Sequence, residues 1–551
     1  MRSKRRQRII NLMCVILLAF LFQAGRLFYI QLIKGPEFAK GAVIQRSLRY
    51  VYASGRGQIL DRNGYSLLDT LWEPVLVSFE PMIDEGVRQV LKTGEQTKTQ
   101  GPAHVVSDPA LINYLKDQDI FVEVEQEVRY GSELLAPHVI GYVQKEEILR
   151  QQPTYRELFF TAKSGLELYF NEYLASSRPS TLAAIVDAQG RTIDGLGFRD
   201  WRDDNLLNPH NVVTTLDSSI QDTVEKIGRS SLSMGAIIVA EAKTGDILAL
   251  ASFPDYSPRE MYNGMSSAQF TTLKNDSRKP FVNRTLQAFA PGSVFKIILA
   301  AAAIEHGLER HSYQCSGHIE VGDRFLSCYN HFAHGQLDSV KDALALSCNG
   351  YFIELGQLLG RKTILDYASR FGLGKTVGVP LYGESPGNIP SIDELPYLGD
   401  LANASIGQGL VETTPLQLAR MMTIIANDGR NINLRLVNRI TDRNGSTVRH
   451  YPVKSGSKVI SSVTASKLKD MLAEVTAVGT ARDAASSDYF TAGKSGTAET
   501  NSGDRSSYRW FAGFTQPEDP LVVVVFAEEM GEKTPAAIFK EVIETVLPLR
   551  K

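Results

Sequence analysis

The chain has 551 residues, 43% of them hydrophobic and 22% charged, and its 59 Lys and Arg against 61 Asp and Glu give a formal net charge of −2. Usage this ordinary excludes a disordered chain, a collagen, a coiled coil and a multi-span membrane protein, and it offers no general basic surface for nucleic acid. Four cysteines in a chain of this length exclude a fold built on disulfides.

The charge is unevenly placed. Arg2, Lys4, Arg5, Arg6 and Arg8 give residues 1–8 five positive charges and no negative one, so the total of −2 leaves −7 on the remainder. Ile9 to Gly25 follows as 17 residues without a charge, the short end of what a membrane-crossing helix needs. No Ala-x-Ala-like site closes the run before Arg26, which favours an uncleaved anchor over a cleaved signal. The expected order is a cytoplasmic basic tail over 1–8, an anchor over 9–33, and the rest of the chain outside the cytoplasm.

Residues 34–212 mix short apolar runs with turn signals at Asp61–Gly64 and Asp187–Gly190, both of the hairpin kind. Gln96–Pro109 is polar and reads as a loop. Three asparagines and a proline between Asn205 and Val212 mark a boundary. From 213 the pattern is regular. Gly235–Ala240 and Ile247–Ser252 read as strands around the turn Lys243–Asp246, and Val294–His306 as a buried helix stopped by Gly307. Trp510–Phe514 and Leu521–Ala527 read as antiparallel strands joined at Gln516–Pro520. Thr534 and Pro535 then cap a terminal helix whose apolar stripe is Ile538, Val542, Ile543, Val546 and Leu547. The fold class is α+β.

Three short motifs carry chemistry. Ser293-Val-Phe-Lys296 opens the buried helix with a serine and a lysine on one face. A serine hydroxyl needs an adjacent base, and a lysine in an apolar helix loses proton affinity through desolvation. Ser347-Cys-Asn349 offers a hydroxyl for proton transfer and a carboxamide that binds a peptide amide. Lys494-Ser-Gly-Thr497 offers a cation and two hydroxyls for a carboxylate, with Gly496 leaving room for substrate beside the backbone. Each alone is weak; Ser-x-x-Lys is a common spacing.

In this order the set resembles the active-site motifs of penicillin-binding proteins and class A β-lactamases, with Cys348 in place of an aspartate and Ser495 in place of a threonine. Asn283-Arg284, Gly407-Gln408-Gly409, Thr414-Pro-Leu-Gln-Leu418 and Gly479-Thr480-Ala481 are similar to further stretches of the transpeptidase family. Arg56–Gly64, His138-Val-Ile-Gly141 and Gly165-Leu-Glu167 resemble the N-terminal module of class B penicillin-binding proteins. The resemblance covers essentially the whole chain. It implies a penicillin-binding/serine β-lactamase-like transpeptidase domain over 213–551, an antiparallel sheet with helices on both faces. That domain would stand on an elongated, dimerisation-like pedestal over 34–212, anchored in a bacterial cell membrane.

The activity so implied is D,D-transpeptidation of peptidoglycan stem peptides ending in D-Ala-D-Ala, with penicillins acylating the same serine. By the same resemblance Ser293 attacks, Lys296 takes its proton, Ser347 and Lys494 relay a proton to the leaving D-alanine, and Asn349 holds the peptide. Backbone N–H groups of Ser293 and Thr497 form the oxyanion hole, Ser495 and Thr497 side chains receive the terminal carboxylate, and Gly496 completes the substrate-binding strand. A SEDS-type membrane glycosyltransferase and a cell-wall synthesis complex are the implied partners. A β-lactamase and a non-catalytic β-lactam sensor or scaffold are the alternatives on this fold. The first lacks an identifiable deacylating glutamate, and the second lacks a visible signalling module. A bifunctional class A enzyme would need a glycosyltransferase domain within residues 35–210, where no acidic motif of that type is found.

Acyl transfer needs no cofactor. Three cysteines, Cys315, Cys328 and Cys348, fall near the motifs together with His318, His331 and His334, while Cys14 lies in the anchor. Three readings stay open: unconnected thiols, a Cys315–Cys328 disulfide, or structural zinc on Cys315, Cys328, His334 and Cys348. The third is similar to a region of some elongation-type relatives that carries a metal.

Overall fold

The computed structural model describes residues 2–550 apart from 94–96, 152–153, 176–178, 188, 190, 192, 194–196, 202–208, 323, 329–330, 500–506, 516–517 and 530. The chain begins with a helix over Arg2–Phe28 that runs through a π-turn, Tyr29–Ile33, into a second helix, Gly35–Gln45. The span Lys4–Ile33 is the one segment among the described residues long and apolar enough to cross a membrane, and none of its apolar window is buried. Leu17, Leu18, Phe20 and Phe22 stand exposed on it; apolar groups in that state require a nonpolar solvent.

In the pedestal two sheets pack face to face, beside a separate hairpin of Val143–Gln151 with Thr154–Ala162. Ser47–Ala53, Ser180–Ile185 and Phe198–Trp201 form one, and Thr97–Gln100, Ala103–Val106, Leu71–Phe79 and Val122–Val128 the other. Tyr50, Tyr52 and Leu182 meet Val75, Val77 and Phe79 between them. Leu76 and Val106 face the opposite way, towards Leu91 and Leu115 of two covering helices.

The expected loop Gln96–Pro109 is instead the hairpin Thr97–Gln100 and Ala103–Val106, reversing at Gly101 (Gln96 is outside the described residues). Its polar outer strand hides the signal, since only Ala103, Val105 and Val106 are buried. At Asp61–Gly64 the expected hairpin is a tight turn closed by a single bridge, Leu60 to Ser66. Asp61 Oδ1 accepts from the N–H groups of Asn63 and Tyr65, while its Oδ2 accepts from the N–H and hydroxyl of Ser218 across the module junction. Asp187 similarly accepts from the N–H groups of Gln189 and Arg191; Ala188 and Gly190 of that turn lie outside the described residues.

Two separated motifs meet in the pedestal. Arg56 Nη2 reaches Glu167 Oε2 at 2.8 Å, Arg129 Nη2 reaches Glu167 Oε1 at 2.6 Å, and all three side chains are buried. Burial alone would raise the Glu167 carboxyl, but Arg129 and Arg56 hold it below the ordinary range.

Of the boundary stretch, 205–208 lie outside the described residues. Asn211–Thr214 is a strand that pairs with Ile59–Leu60 of the pedestal on one side and Val437–Thr441 on the other. Beyond it, five antiparallel strands run in the order Ile247–Phe253, Met234–Glu241, Leu521–Glu529, Ser507–Phe514, Ala492–Glu499. The central Val522–Phe526 is fully buried. Both faces carry helices. Phe511 packs on Phe539 of the terminal helix Pro535–Leu549, while its neighbour Trp510, on the other face, donates to Ala290 O beside the serine motif. Thr534 caps the terminal helix by accepting from Ala537 N–H, with Pro535 at its first position. In the turn before Leu521, Gln516 and Pro517 lie outside the described residues.

Candidate active site

Ser293 sits on a 3₁₀ turn, Gly292–Phe295, that leads into the helix Lys296–Glu305. The expected α-helical start is therefore tighter, and residues i and i+3 eclipse. Gly292 has φ +55°, and a Cβ there would stand 2.4 Å from Thr497 O, so the serine turn can press against the strand Ala492–Glu499 only without a side chain. Gly496 answers from the strand, where a Cβ would meet Pro291 O at 2.5 Å.

Lys296 is fully buried, and burial lowers its ammonium to about 8. Its Nζ donates to Ser347 O at 2.8 Å and Asn349 Oδ1 at 2.7 Å, with Ser347 Oγ at 3.4 Å. Among the described residues no hydrogen bond joins it to Ser293. Ser347 holds φ +55°, a left-handed conformation costly for any residue with a Cβ, immediately before Cys348 caps the helix Asn349–Arg370. That helix runs across a break at Gly360, where φ is +77°.

Asn349 has its orientation settled from both ends. Its Oδ1 accepts from Lys296, and its Nδ2 donates to Ser327 O at 2.9 Å. One amide N–H remains for a ligand carbonyl. Lys494, also fully buried, is pushed well below the ordinary lysine range by burial and then by the charge of Lys296. It donates to Ser495 O at 3.1 Å and to Thr480 Oγ1 at 3.4 Å. The strand bearing Lys494, Ser495, Gly496 and Thr497 is the edge of its sheet, so its outer backbone groups are open to an extended peptide.

The structure thus brings Lys296, Ser347 and Asn349 into one hydrogen-bonded group, and sets Ser293 against the strand carrying Lys494 to Thr497. Two further contributors have no role assigned from the sequence. Thr480 Oγ1 lies 3.4 Å from Ser495 Oγ as well as from Lys494, and its N–H donates to Ala345 O at 3.0 Å. Its triplet Gly479–Ala481 was the visible signal. The Ser327 carbonyl that holds Asn349 left none, because a backbone group carries no sequence mark.

Beside this group lie the three cysteines. Cys328 Sγ is 3.7 Å from both Cys315 Sγ and Cys348 Sγ, and Cys315 Sγ is 3.4 Å from His334 Nδ1. All cysteines are free, so the Cys315–Cys328 disulfide is not formed; a bond needs sulfurs about 2.05 Å apart. The four ligand-type atoms of Cys315, Cys328, His334 and Cys348 fall within 4.8 Å of one another. The neighbouring Cys348 thiol, by hydrogen bonding, pushes the Cys328 thiol below its ordinary range. His318 and His331 are outside this group.

A serine on a tight turn, two buried lysines and an open sheet edge define a serine acyl-transfer centre. The chain belongs to the penicillin-binding protein transpeptidase family, whose domain profile matches residues 235–544. It is 26% identical over 563 residues to stage V sporulation protein D of Bacillus subtilis, covering 96% of this chain and 82% of that protein. It is 25% identical over 606 residues to peptidoglycan D,D-transpeptidase MrdA of Acinetobacter baumannii, covering 99% and 88%. A chain in a solved peptidoglycan synthase complex of polymerization and crosslinking aligns at TM-score 0.70 with 25% identity, covering 98% of this chain and 97% of that one.

Proposed function

We propose that this protein cross-links peptidoglycan through an acyl-enzyme on Ser293. The observation that carries the reading is Lys296, buried, lowered to about 8, and fastened to both Ser347 and Asn349 beside the serine turn. Neutral Lys296 keeps two N–H bonds to Ser347 O and Asn349 Oδ1 and turns its lone pair to the Ser293 hydroxyl. Ser293 Oγ attacks the carbonyl between the terminal D-alanines as Lys296 takes its proton. N–H groups of Ser293 and Thr497 receive the oxyanion. The C–N bond breaks, and Ser347 and Lys494 pass a proton to the departing D-alanine. Ser495 and Thr497 hold its carboxylate. An amine of a neighbouring stem then attacks the ester, forms the cross-link amide, and Ser293 regains its proton.

Fluorescent penicillin tests the reading. Wild type is expected to form an adduct lasting many minutes, and Ser293→Ala none. Absence of labelling on wild type sinks the serine acyl-enzyme, and rapid turnover of the adduct makes the protein a β-lactamase.

The reading extends to placement, partners and metal. The positive residues 2–8 and the anchor support an N-terminus in the cytoplasm and a catalytic domain facing the cell wall. Likeness to a chain of a peptidoglycan synthase complex of polymerization and crosslinking supports a glycan-polymerizing partner, and the family resemblance extends this to a SEDS-type membrane glycosyltransferase. Cys315, Cys328, His334 and Cys348 suit a structural zinc. Tetrahedral zinc with Zn–S near 2.3 Å sets ligand sulfurs about 3.8 Å apart, and here Cys328 Sγ stands 3.7 Å from both Cys315 Sγ and Cys348 Sγ. Such a zinc would fasten the loop at 315–334 to the helix that carries Asn349.

A further inference from the structure

Arg509 belongs to Ser507–Phe514, the strand beside the edge strand of the catalytic sheet. In the register of the two strands it stands directly opposite Thr497, and Phe511 stands opposite Ser495. Successive side chains leave a sheet on alternate faces. Trp510 marks one face by its bond to Ala290 O, and Phe511 marks the other by packing on Phe539. Arg509 therefore leaves the sheet on the Phe511 face. Directly opposed residues share a face, so Ser495 and Thr497 leave it there too. Opposed Cβ atoms lie about 4.5–5.5 Å apart, and diagonal neighbours such as Arg509 and Ser495 about 7–8 Å, a gap that a long side chain spans.

The guanidinium serves nothing visible in the fold. Arg509 is half-buried, its Nε is buried without a hydrogen-bond partner, and among the described residues no carboxylate pairs with it. The carboxylates on that side are engaged elsewhere or stand apart. Glu529 accepts from the Ser233 hydroxyl at 3.3 Å, and Asp483 from the Thr534 hydroxyl at 3.0 Å beside the terminal helix. Glu499, two residues beyond Thr497 on the edge strand, forms no ion pair among the described residues. A buried donor left unpaired costs folding free energy, so this one points to an anion that the folded chain does not itself supply.

The substrate proposed above supplies such an anion at this place. Its terminal carboxylate carries a full negative charge, whereas Ser495 and Thr497 offer it neutral hydroxyls. Lys494 is fully buried and held well below the ordinary lysine range. In the acyl transfer it also passes on a proton, so it holds no fixed charge through the reaction. A guanidinium does: it stays protonated at every working pH, and its fork matches the two oxygens of a carboxylate.

We infer that Arg509 is the charged member of the carboxylate site, its guanidinium pairing with the terminal carboxylate of the stem peptide beside the hydroxyls of Ser495 and Thr497. This rests on the acyl-enzyme reading above. It makes Arg509 a specificity residue: it selects substrates that end in a free carboxylate and takes no part in the proton transfers at Ser293.

The test uses full-length protein in detergent and two probes, benzylpenicillin and its methyl ester. In penicillin, as in the terminal D-alanine, the carboxylate sits on the carbon bonded to the nitrogen of the attacked amide, and the ester lacks its charge. Wild type is expected to be acylated faster by the acid than by the ester. Arg509→Gln is expected to slow the acid by about tenfold or more, through weaker binding rather than a lower limiting rate, and to leave the ester unchanged. Arg509→Lys keeps the charge and loses the fork, and is expected to retain part of the preference. Added salt should slow the acid on wild type and much less on Arg509→Gln. Tm should match wild type, because the guanidinium has no partner in the fold to lose. An unchanged acid rate in Arg509→Gln, an equal loss for acid and ester, or salt slopes that do not differ overturns the assignment while leaving the acyl-enzyme reading intact. A fall in Tm with equal loss for both probes shows the side chain to be packing only, which also overturns it. If neither probe leaves an adduct on wild type, the Ser293 reading fails and this assignment with it.

Discussion

Lys296 Nζ donates to Asn349 Oδ1 at 2.7 Å while making no bond to Ser293 among the described residues. Ser347 O and Asn349 Oδ1 accept from it, and the Ser347 hydroxyl lies 3.4 Å away. In the resting state the proposed base is thus held by the asparagine motif and not by the serine.

Acylation should therefore rise with pH. With its ammonium lowered to about 8, Lys296 is neutral in about a tenth of molecules at pH 7 and about nine tenths at pH 9. Penicillin acylation rates are expected to climb about tenfold across that interval. Lys296→Arg should abolish both the rise and most of the rate, because a guanidinium does not release its proton. A flat profile for wild type would remove Lys296 from the role of base.

Ser347 combines the hydroxyl proposed to relay a proton with a strained backbone. Ser347→Gly relieves φ +55° and is expected to keep or raise Tm, by about 1 kcal/mol of strain released. Acylation should nonetheless fall by about 10²–10⁴, the usual scale for one proton-transfer group. Thermal denaturation and adduct formation on one preparation separate the two effects; equal loss in both would make Ser347 structural only.

Metal analysis of protein purified without chelator is expected to find about one zinc per chain. Cys348→Ser should lose it, and chelation should lower Tm, since metal held only by the folded state stabilises it. Zinc absent from such a preparation would leave the thiols and His334 as an unmetallated cluster.

Glu167 holds two buried guanidiniums, Arg56 and Arg129. Glu167→Ala leaves both unpaired and is expected to cost about 3–5 kcal/mol, read as a large drop in the unfolding midpoint. Its carboxyl titrates below the ordinary value of 4.5. The stabilisation is thus complete above that pH and is lost on acidification through the folded value. Urea unfolding at pH 7 and pH 4 shows this pH slope in wild type and not in Glu167→Ala.

The sequence was most legible where periodicity and chemistry coincide. Val522–Phe526 reads as a buried strand because nothing polar interrupts it, and Thr534-Pro535 announces a helix start by a local capping rule. The candidate site residues were visible as three motifs, since Ser293, Ser347 and Lys494 each stand at the start or within a short element. Thr97–Gln100 was not: its four polar residues form a strand only through pairing with Ala103–Val106. Nor was the contact between Asn349 and Ser327 O, which depends on how a loop returns to a helix. The meeting of Arg56, Arg129 and Glu167 lies between these cases, two of its members being in visible motifs and their pairing being tertiary.

The strand Asn211–Thr214 has pedestal on one side and catalytic domain on the other. A cut in the chain at 212 therefore does not separate independent bodies; it splits a sheet and strips Val212 and Val213 of their Ile59 and Leu60 neighbours. Grafting this catalytic domain onto a foreign stalk would have to carry Ile59–Leu60 with it. For the same reason, a twist applied to the stalk from the membrane side arrives at Val437–Thr441 through hydrogen bonds rather than through a slack tether.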